Sequence, residues 1–169
     1  MRIFLIGYMG SGKTKTADAL AKILKYSLSD TDKLVEERVG SSIDSIFRKE
    51  GQEYFRDVEK DVLRQTAIFD NIVISTGGGT PCYFENMQWM KENGLTVYLE
   101  ANPGLLFHRL ATNRENRPLL SSLNDVELME QITSHLATRI PVYRKADIIV
   151  NAADVDVKDL AAKIKSHGK

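Results

Sequence analysis

One stretch constrains the fold of this chain more than any other. The apolar run Ile3-Phe4-Leu5-Ile6 passes directly into Gly7-Tyr8-Met9-Gly10-Ser11-Gly12-Lys13-Thr14, and a predicted helix, Lys13–Leu24, follows. Strand, glycine-rich loop and helix in that order match the pattern G-x-x-x-x-G-K-[ST]. The glycines let the backbone curl until successive N–H groups point at phosphate oxygens. The helix adds the positive end of its dipole at the same place. Lys13 brings a full positive charge toward the β- and γ-phosphates, and the Thr14 hydroxyl is a hard oxygen donor for Mg²⁺. The stretch therefore predicts a nucleoside triphosphate site. It leaves open whether the γ-phosphate goes to water, to a protein switch or to a small molecule.

Short apolar runs alternate with longer amphipathic ones along the rest of the chain. Strands are predicted at Arg2–Ile6, Tyr26–Ser29, Ile72–Thr76, Thr96–Leu99 and Asp147–Val150. Helices are predicted at Lys13–Leu24, Asp32–Val39, Ile43–Glu50, Gln52–Phe69, Phe84–Glu92, Gly104–Ala111, Asp125–Tyr143 and Val157–Ser166. In the long middle helix Phe55, Val58, Val62 and Leu63 share one face, with Arg56, Asp57, Glu59 and Lys60 off that stripe. Uniformly apolar strands separated by helices indicate a parallel sheet covered on both faces. At 169 residues a single α/β domain is expected. Lys+Arg and Asp+Glu are 23 each, a balance that argues against a nucleic-acid or membrane-surface protein. No apolar run approaches the ~20 residues that span a bilayer, and no signal peptide is visible. The single cysteine, Cys82, fits a reducing compartment, so a cytoplasmic protein is expected.

Other residues gather at the same predicted sheet edge. Asp30-Thr31-Asp32 closes the second strand, where carboxylates face the ligand crevice of a parallel sheet. At i and i+2 on extended backbone both would point to one side, one toward a magnesium-bound water and the other toward a substrate hydroxyl. Asp32 equally suits the N-cap of the next helix. Gly77-Gly78-Gly79 ends the third strand and would let a ligand approach backbone N–H groups, or would simply make a tight turn. Arg56 stands one turn before Glu59, which could orient it, and Arg139 lies near the end of another helix. Residues 111–124, with Arg114, Arg117 and Pro118, read as an exposed loop able to move. Cys82 has no histidine within several residues and reads as a packing cysteine.

Taken together, the phosphate loop, "DTD", "FRDVE", "GGG", "RPLL" and "RIPVYRKAD" resemble the shikimate kinase family, in order and spacing, from Arg2 to about Val150. The resemblance implies a P-loop kinase similar to nucleoside monophosphate kinases: one domain, residues 1–169, a central five-stranded parallel sheet flanked by helices, and a mobile lid at about 111–124. It implies transfer of the ATP γ-phosphate to the 3-hydroxyl of shikimate, in aromatic amino-acid biosynthesis, by a cytoplasmic monomer using Mg²⁺. The site residues it implies fall into groups. Gly10, Ser11, Gly12, Lys13, Thr14 and Lys15 hold ATP, with Arg109 and the residues around Asn151 and Ala152 near the adenine. Thr14 and Asp30 serve the metal. Asp32 binds shikimate and accepts the proton of the attacking hydroxyl. Arg56 and Arg139 clamp the carboxylate, and Gly77, Gly78 and Gly79 offer backbone. Arg117 closes from the lid onto the transferring phosphate.

The chain departs from the family after Thr14, where Lys15-Thr16-Ala17-Asp18 replaces a more usual Ser/Thr, apolar, Gly and basic sequence. Ala17 suits a helix interior, whereas Asp18 brings negative charge toward the phosphates. Two other readings compete. A kinase of a different small metabolite, such as gluconate, would keep the loop and lid but needs no paired arginines beside a DTD. A nucleotide-dependent switch would often carry Asn-Lys-x-Asp, which is absent from the chain.

Overall fold

The computed structural model describes residues 1–112, 120 and 122–167. Five strands form one sheet: β1 (Arg2–Ile6), β2 (Ser27–Asp30), β3 (Ile72–Ser75), β4 (Leu95–Glu100) and β5 (Ile148–Asn151). Their order is β2-β3-β1-β4-β5, and every pairing is parallel. Between them run α1 (Lys13–Leu24), α2 (Thr31–Val39), α3 (Ile43–Lys49), α4 (Gly51–Gln65), α5 (Asn86–Asn93), α6 (Pro103–Thr112), α7 (Asp125–Tyr143) and α8 (Val157–Ser166). Parallel strands need crossover connections, and these helices supply them while covering both faces.

The central strand shows why its sequence does not alternate. Ile3, Phe4, Leu5 and Ile6 are all fully buried. Ile3 and Leu5 pack with Leu20, Val73 and Leu160 on one face, and Phe4 and Ile6 with Leu63, Met90 and Tyr143 on the other. A third cluster around Leu106, Leu128, Ile132 and Leu136 carries α6 and α7 beside the phosphate loop.

Element boundaries follow local chemistry. The helix predicted at Gln52–Phe69 gives way to a 3₁₀ turn at Thr66–Ile68. The helix predicted from Phe84 starts at Asn86, because Phe84 (φ +48°) and Glu85 (φ +56°) take left-handed backbone that no α-helix can include. α7 opens on a reciprocal capping box between Asn124 and Glu127.

Candidate active site

The turn after β1 takes its shape from three glycines, the first of them Gly7 (φ +146°). Gly10 (φ +81°) and Gly12 (φ +97°) adopt left-handed backbone, and α1 starts directly behind them at Lys13. Lys13 is buried, and its Nζ donates to the carbonyls of Gly7 and Tyr8 at 2.9 and 3.0 Å. Arg109, on α6, reaches across the same loop. Its Nη1 donates to the Gly10 and Ser11 carbonyls at 3.2 and 3.1 Å, and its Nη2 to the Ala152 carbonyl at 2.9 Å. A cavity of about 400 Å³ lies here, lined by Gly12, Lys15, Arg109, Ala152 and Val155 among others. It has the mixture of apolar side chains and backbone that a flat heterocycle takes. Asp18 does not border it. That carboxylate sits in the second turn of α1, exposed, and accepts from Lys22 Nζ at 2.7 Å.

The two aspartates of the DTD segment separate. Asp30, on extended backbone, is the N-cap of α2: its Oδ1 accepts from the Asp32 N–H at 3.0 Å. Thr31 and Asp32 are already helical, so the alternation expected of an i, i+2 pair on a strand does not apply, and the capping residue is Asp30 rather than Asp32. The cavities they line also differ. Asp30 shares one of about 310 Å³ with Thr14, Ser29, Lys33 and Glu37. Asp32 lines a larger one, of about 620 Å³, with Arg56, Glu59, Gly77 and Arg139. Burial, then the charges of Asp30 and Glu59, push the Asp32 carboxyl up to about 6, against the opposing pull of Lys13 and Arg56.

The floor of the larger cavity is Gly77-Gly78-Gly79. None of the three has positive φ, so their need for glycine is steric. A Cβ at Gly77 would stand 2.7 Å from Asp32 Oδ1 and 2.8 Å from Glu59 Oε1, and one at Gly79 would stand 2.6 Å from Arg56 Nη2. The Gly77 N–H, expected to face substrate, instead donates to Thr31 Oγ1 at 2.9 Å. Glu59, read from the sequence as part of a polar face, is fully buried. It accepts from Thr80 Oγ1 at 2.6 Å and from Arg56 Nη1 at 2.7 Å. Arg56 lies between rings, 5.0 Å from the Phe55 centroid and 4.2 Å from that of Tyr83. Helical spacing alone does not show this: the loop after β3 folds over the polar side of α4 and turns it into interior.

Arg139 enters from α7. Its guanidinium lies over the Tyr8 ring, 5.3 Å from the centroid, and its charge acts on the Tyr143 hydroxyl. Tyr143 in turn donates to the Gly78 carbonyl. Among the described residues no acidic side chain forms an ion pair with Arg139. Tyr8, Tyr83 and Tyr143 belong to this arrangement although the sequence reading assigned them no part, and Glu59 takes the place beside Arg56 that its spacing suggested. Cys82 lines the cavity half-buried, and burial pushes its thiol up, away from the thiolate. Arg117, Arg114 and most of the predicted lid lie outside the described residues. At the borders of that segment Leu120 is buried against the α6–α7 cluster.

Two sites thus adjoin at the C-terminal ends of the strands. One is a phosphate loop with a base-sized cavity. The other is a larger cavity holding two arginines, two carboxylates and a glycine floor, and it reaches the loop through Met9. The first can hold a nucleotide, and the second a small anion with hydroxyl groups.

Comparison with known proteins gives a consistent result. The family model described as shikimate kinase matches residues 9–167. The chain is 41% identical over 169 residues to a shikimate kinase of Phocaeicola vulgatus, covering 99% of this chain and 97% of that one. Among solved structures it is similar to the shikimate kinase of Bacteroides thetaiotaomicron, with TM-score 0.91, 38% identity, and coverage of 99% and 97% of the two chains. It is also similar to the shikimate kinase of Acinetobacter baumannii in complex with shikimate, with TM-score 0.86, 33% identity, and coverage of 98% and 91%.

Proposed function

The chain belongs to the shikimate kinase family, and on that premise we propose that its two adjoining sites transfer the γ-phosphoryl group of ATP to the 3-hydroxyl of shikimate, giving shikimate 3-phosphate and ADP. The observation that carries this reading is the convergence of Arg56, Arg139, Asp32 and the Gly77–Gly79 floor on one cavity of about 620 Å³ beside the phosphate loop.

ATP binds with its phosphates on the backbone of Gly10 to Thr14 and its base beside Arg109 and Ala152. Lys13 leaves the Gly7 and Tyr8 carbonyls for the phosphates. Lys15 borders the nucleotide cavity and contributes charge at its rim. Thr14 and Asp30 offer a hydroxyl and a carboxylate to one cavity, the hard oxygen set that Mg²⁺ takes. These residues fit that ion: Asp30 spends one oxygen on its cap and keeps the other for a magnesium-bound water. Bound there, Mg²⁺ supplies charge neutralisation on the phosphates. Shikimate lies with its carboxylate on Arg56 and Arg139, whose planar forks suit a carboxylate. Asp32 and the backbone of Gly78 and Gly79 receive its hydroxyls. Asp32 is ionised at neutral pH, with a pKa close enough to 7 to accept the proton of the attacking hydroxyl. Arg117, from the segment outside the described residues, completes the charge around the transferring group. The enzyme works as a cytoplasmic monomer in the shikimate pathway; among the described residues no helix is long and apolar enough to cross a membrane.

The test is the carboxylate. Removing one partner of a desolvated charge pair costs roughly 2–5 kcal/mol, so Arg139→Ala lowers kcat/KM for shikimate by about 30-fold or more. Arg139→Lys recovers only part of this, because an ammonium has no bidentate fork. The control is an acceptor whose carboxylate is replaced by a neutral amide. Wild type rejects it strongly and Arg139→Ala much less. Equal preference for the acid in both enzymes removes Arg139 from the clamp. Better turnover of gluconate than of shikimate by wild type overturns the acceptor assignment.

A further inference from the structure

The phosphate loop and the carboxylate clamp meet at one side chain that neither role explains. Tyr8 is the second residue of the phosphate-loop motif and is 2% exposed. Its backbone carbonyl accepts from Lys13 Nζ at 3.0 Å. Its hydroxyl lies 3.0 Å from Nδ1 of His135, and its ring lies under Arg139. His135 stands one turn before Arg139 on α7, and both line the acceptor cavity.

The two clamp arginines are held by different means. Arg56 has a buried carboxylate, Glu59, and a ring on either side. Its angle is set by a charged hydrogen bond, and much of its charge is already answered. Arg139 has no acidic partner among the described residues. Its charge is the one left for an incoming anion, but it has fewer bonds to fix its plane. A bidentate grip needs that plane fixed before the anion arrives. The face of an immobile aromatic ring can do this without neutralising the cation. Tyr8 qualifies because it is buried among Leu99, Leu106 and Leu136 and tied at its far end to His135. That bond joins residues 127 apart in the chain.

We infer that Tyr8 and His135 are positioning residues for the acceptor: the Tyr8 ring is the platform that aims Arg139, and His135 locks the platform in place. This rests on the assignment of Arg139 to the shikimate carboxylate. The competing account is that Tyr8 only fills space behind the phosphate loop, in which case its loss disturbs ATP as much as shikimate.

A double-mutant cycle separates them, with KM measured for both substrates. Loss of a partly desolvated cation–π contact predicts that Tyr8→Leu raises the shikimate KM about 5-fold. The ATP KM changes by less than about twofold, because the loop backbone and Lys13 remain. Tyr8→Phe removes only the hydroxyl–imidazole bond and raises the shikimate KM about twofold. His135→Ala removes that bond together with an imidazole that lines the cavity, so its effect is at least as large, and adding Tyr8→Phe to it does no more than His135→Ala alone. In an Arg139→Ala background, Tyr8→Leu changes the shikimate KM by less than about 1.5-fold, since the platform has nothing left to aim. Equal effects in both backgrounds, or parallel rises in the two KM values, overturn the inference. If Tyr8→Leu does not fold, the Tyr8→Phe cycle carries the same comparison. Wild-type turnover of shikimate is the control. Its absence overturns the proposed function, whereas an additive cycle in an active enzyme overturns only the role of Tyr8 and His135.

Discussion

Lys13→Ala retains less than about a hundredth of wild-type kcat. Preorganised charge on a transferring phosphoryl group is the main catalytic device available to such a site, and removing one well-placed donor typically costs about 10²–10³ in rate. The variant also loses two hydrogen bonds that Lys13 makes in the free protein, to the Gly7 and Tyr8 carbonyls. That loss amounts to about 1–3 kcal/mol against a total stability of roughly 5–15 kcal/mol. The variant therefore stays folded at 25 °C with Tm lowered by several degrees, and the rate loss is chemical rather than structural. Melting curves and kcat measured on one preparation distinguish the two. Retention of more than about a tenth of kcat would take Lys13 out of the transition state, because ~1.4 kcal/mol already corresponds to tenfold.

Asp32→Asn lowers kcat by about a hundredfold, the usual range for loss of a positioned general base. The asparagine keeps the shape beside Gly77 but cannot take a proton. The pH profile carries the sign. In wild type the carboxylate must be ionised to act, and burial holds its pKa at about 6. Activity is therefore full above that pH and falls as pH drops through it, and Asp32→Asn removes that acid limb. Asp30→Asn behaves differently. Asparagine caps a helix about as well as aspartate, so α2 keeps its start. The magnesium concentration for half-maximal rate rises, while kcat at saturating magnesium stays close to wild type. A kcat/KM profile from pH 5 to 8 with a magnesium titration checks both. Indistinguishable profiles for the two variants would sink the division of labour between the aspartates.

Much of this molecule was legible in the chain, and the parts that were not share a cause. Periodicity located all five strands and the eight helices of the described residues, with shifts such as Tyr26–Ser29 to Ser27–Asp30, because burial on two faces leaves a local mark on every segment. The phosphate loop was legible for the same reason: its strand, glycines and lysine are consecutive. The clamp was legible only as a resemblance. What holds Arg56 at the cavity is Glu59 in a closed interior, and the interior is made by a loop more than 20 residues further on. Spacing offered Glu59 as a partner for Arg56 but left it off the apolar stripe, and its burial shows only once that loop is placed over it. The capping of α2 went to Asp30 because the helix starts one residue earlier than its apolar pattern suggests. Tyr8 left no signal at all, since its partners His135 and Arg139 lie at the far end of the chain.

The position of β1 in the sheet also orders events at birth. β1 is translated before either of its neighbours, since it pairs with Ile72–Ser75 on one side and Leu95–Tyr98 on the other. A nascent chain therefore carries an apolar segment with unmet backbone groups until about residue 100 has emerged, which is the exposure that holding chaperones recognise. The phosphate loop hangs from that strand and cannot take its shape sooner, so ATP cannot lend stability to a shorter nascent chain. His135 and Arg139 are made later still. Ala152 and Val155, which close the nucleotide cavity beside Arg109, follow them. On the ribosome the phosphate loop can therefore be shaped while both sites are still open, and the pocket for the base is the last of the three to be completed.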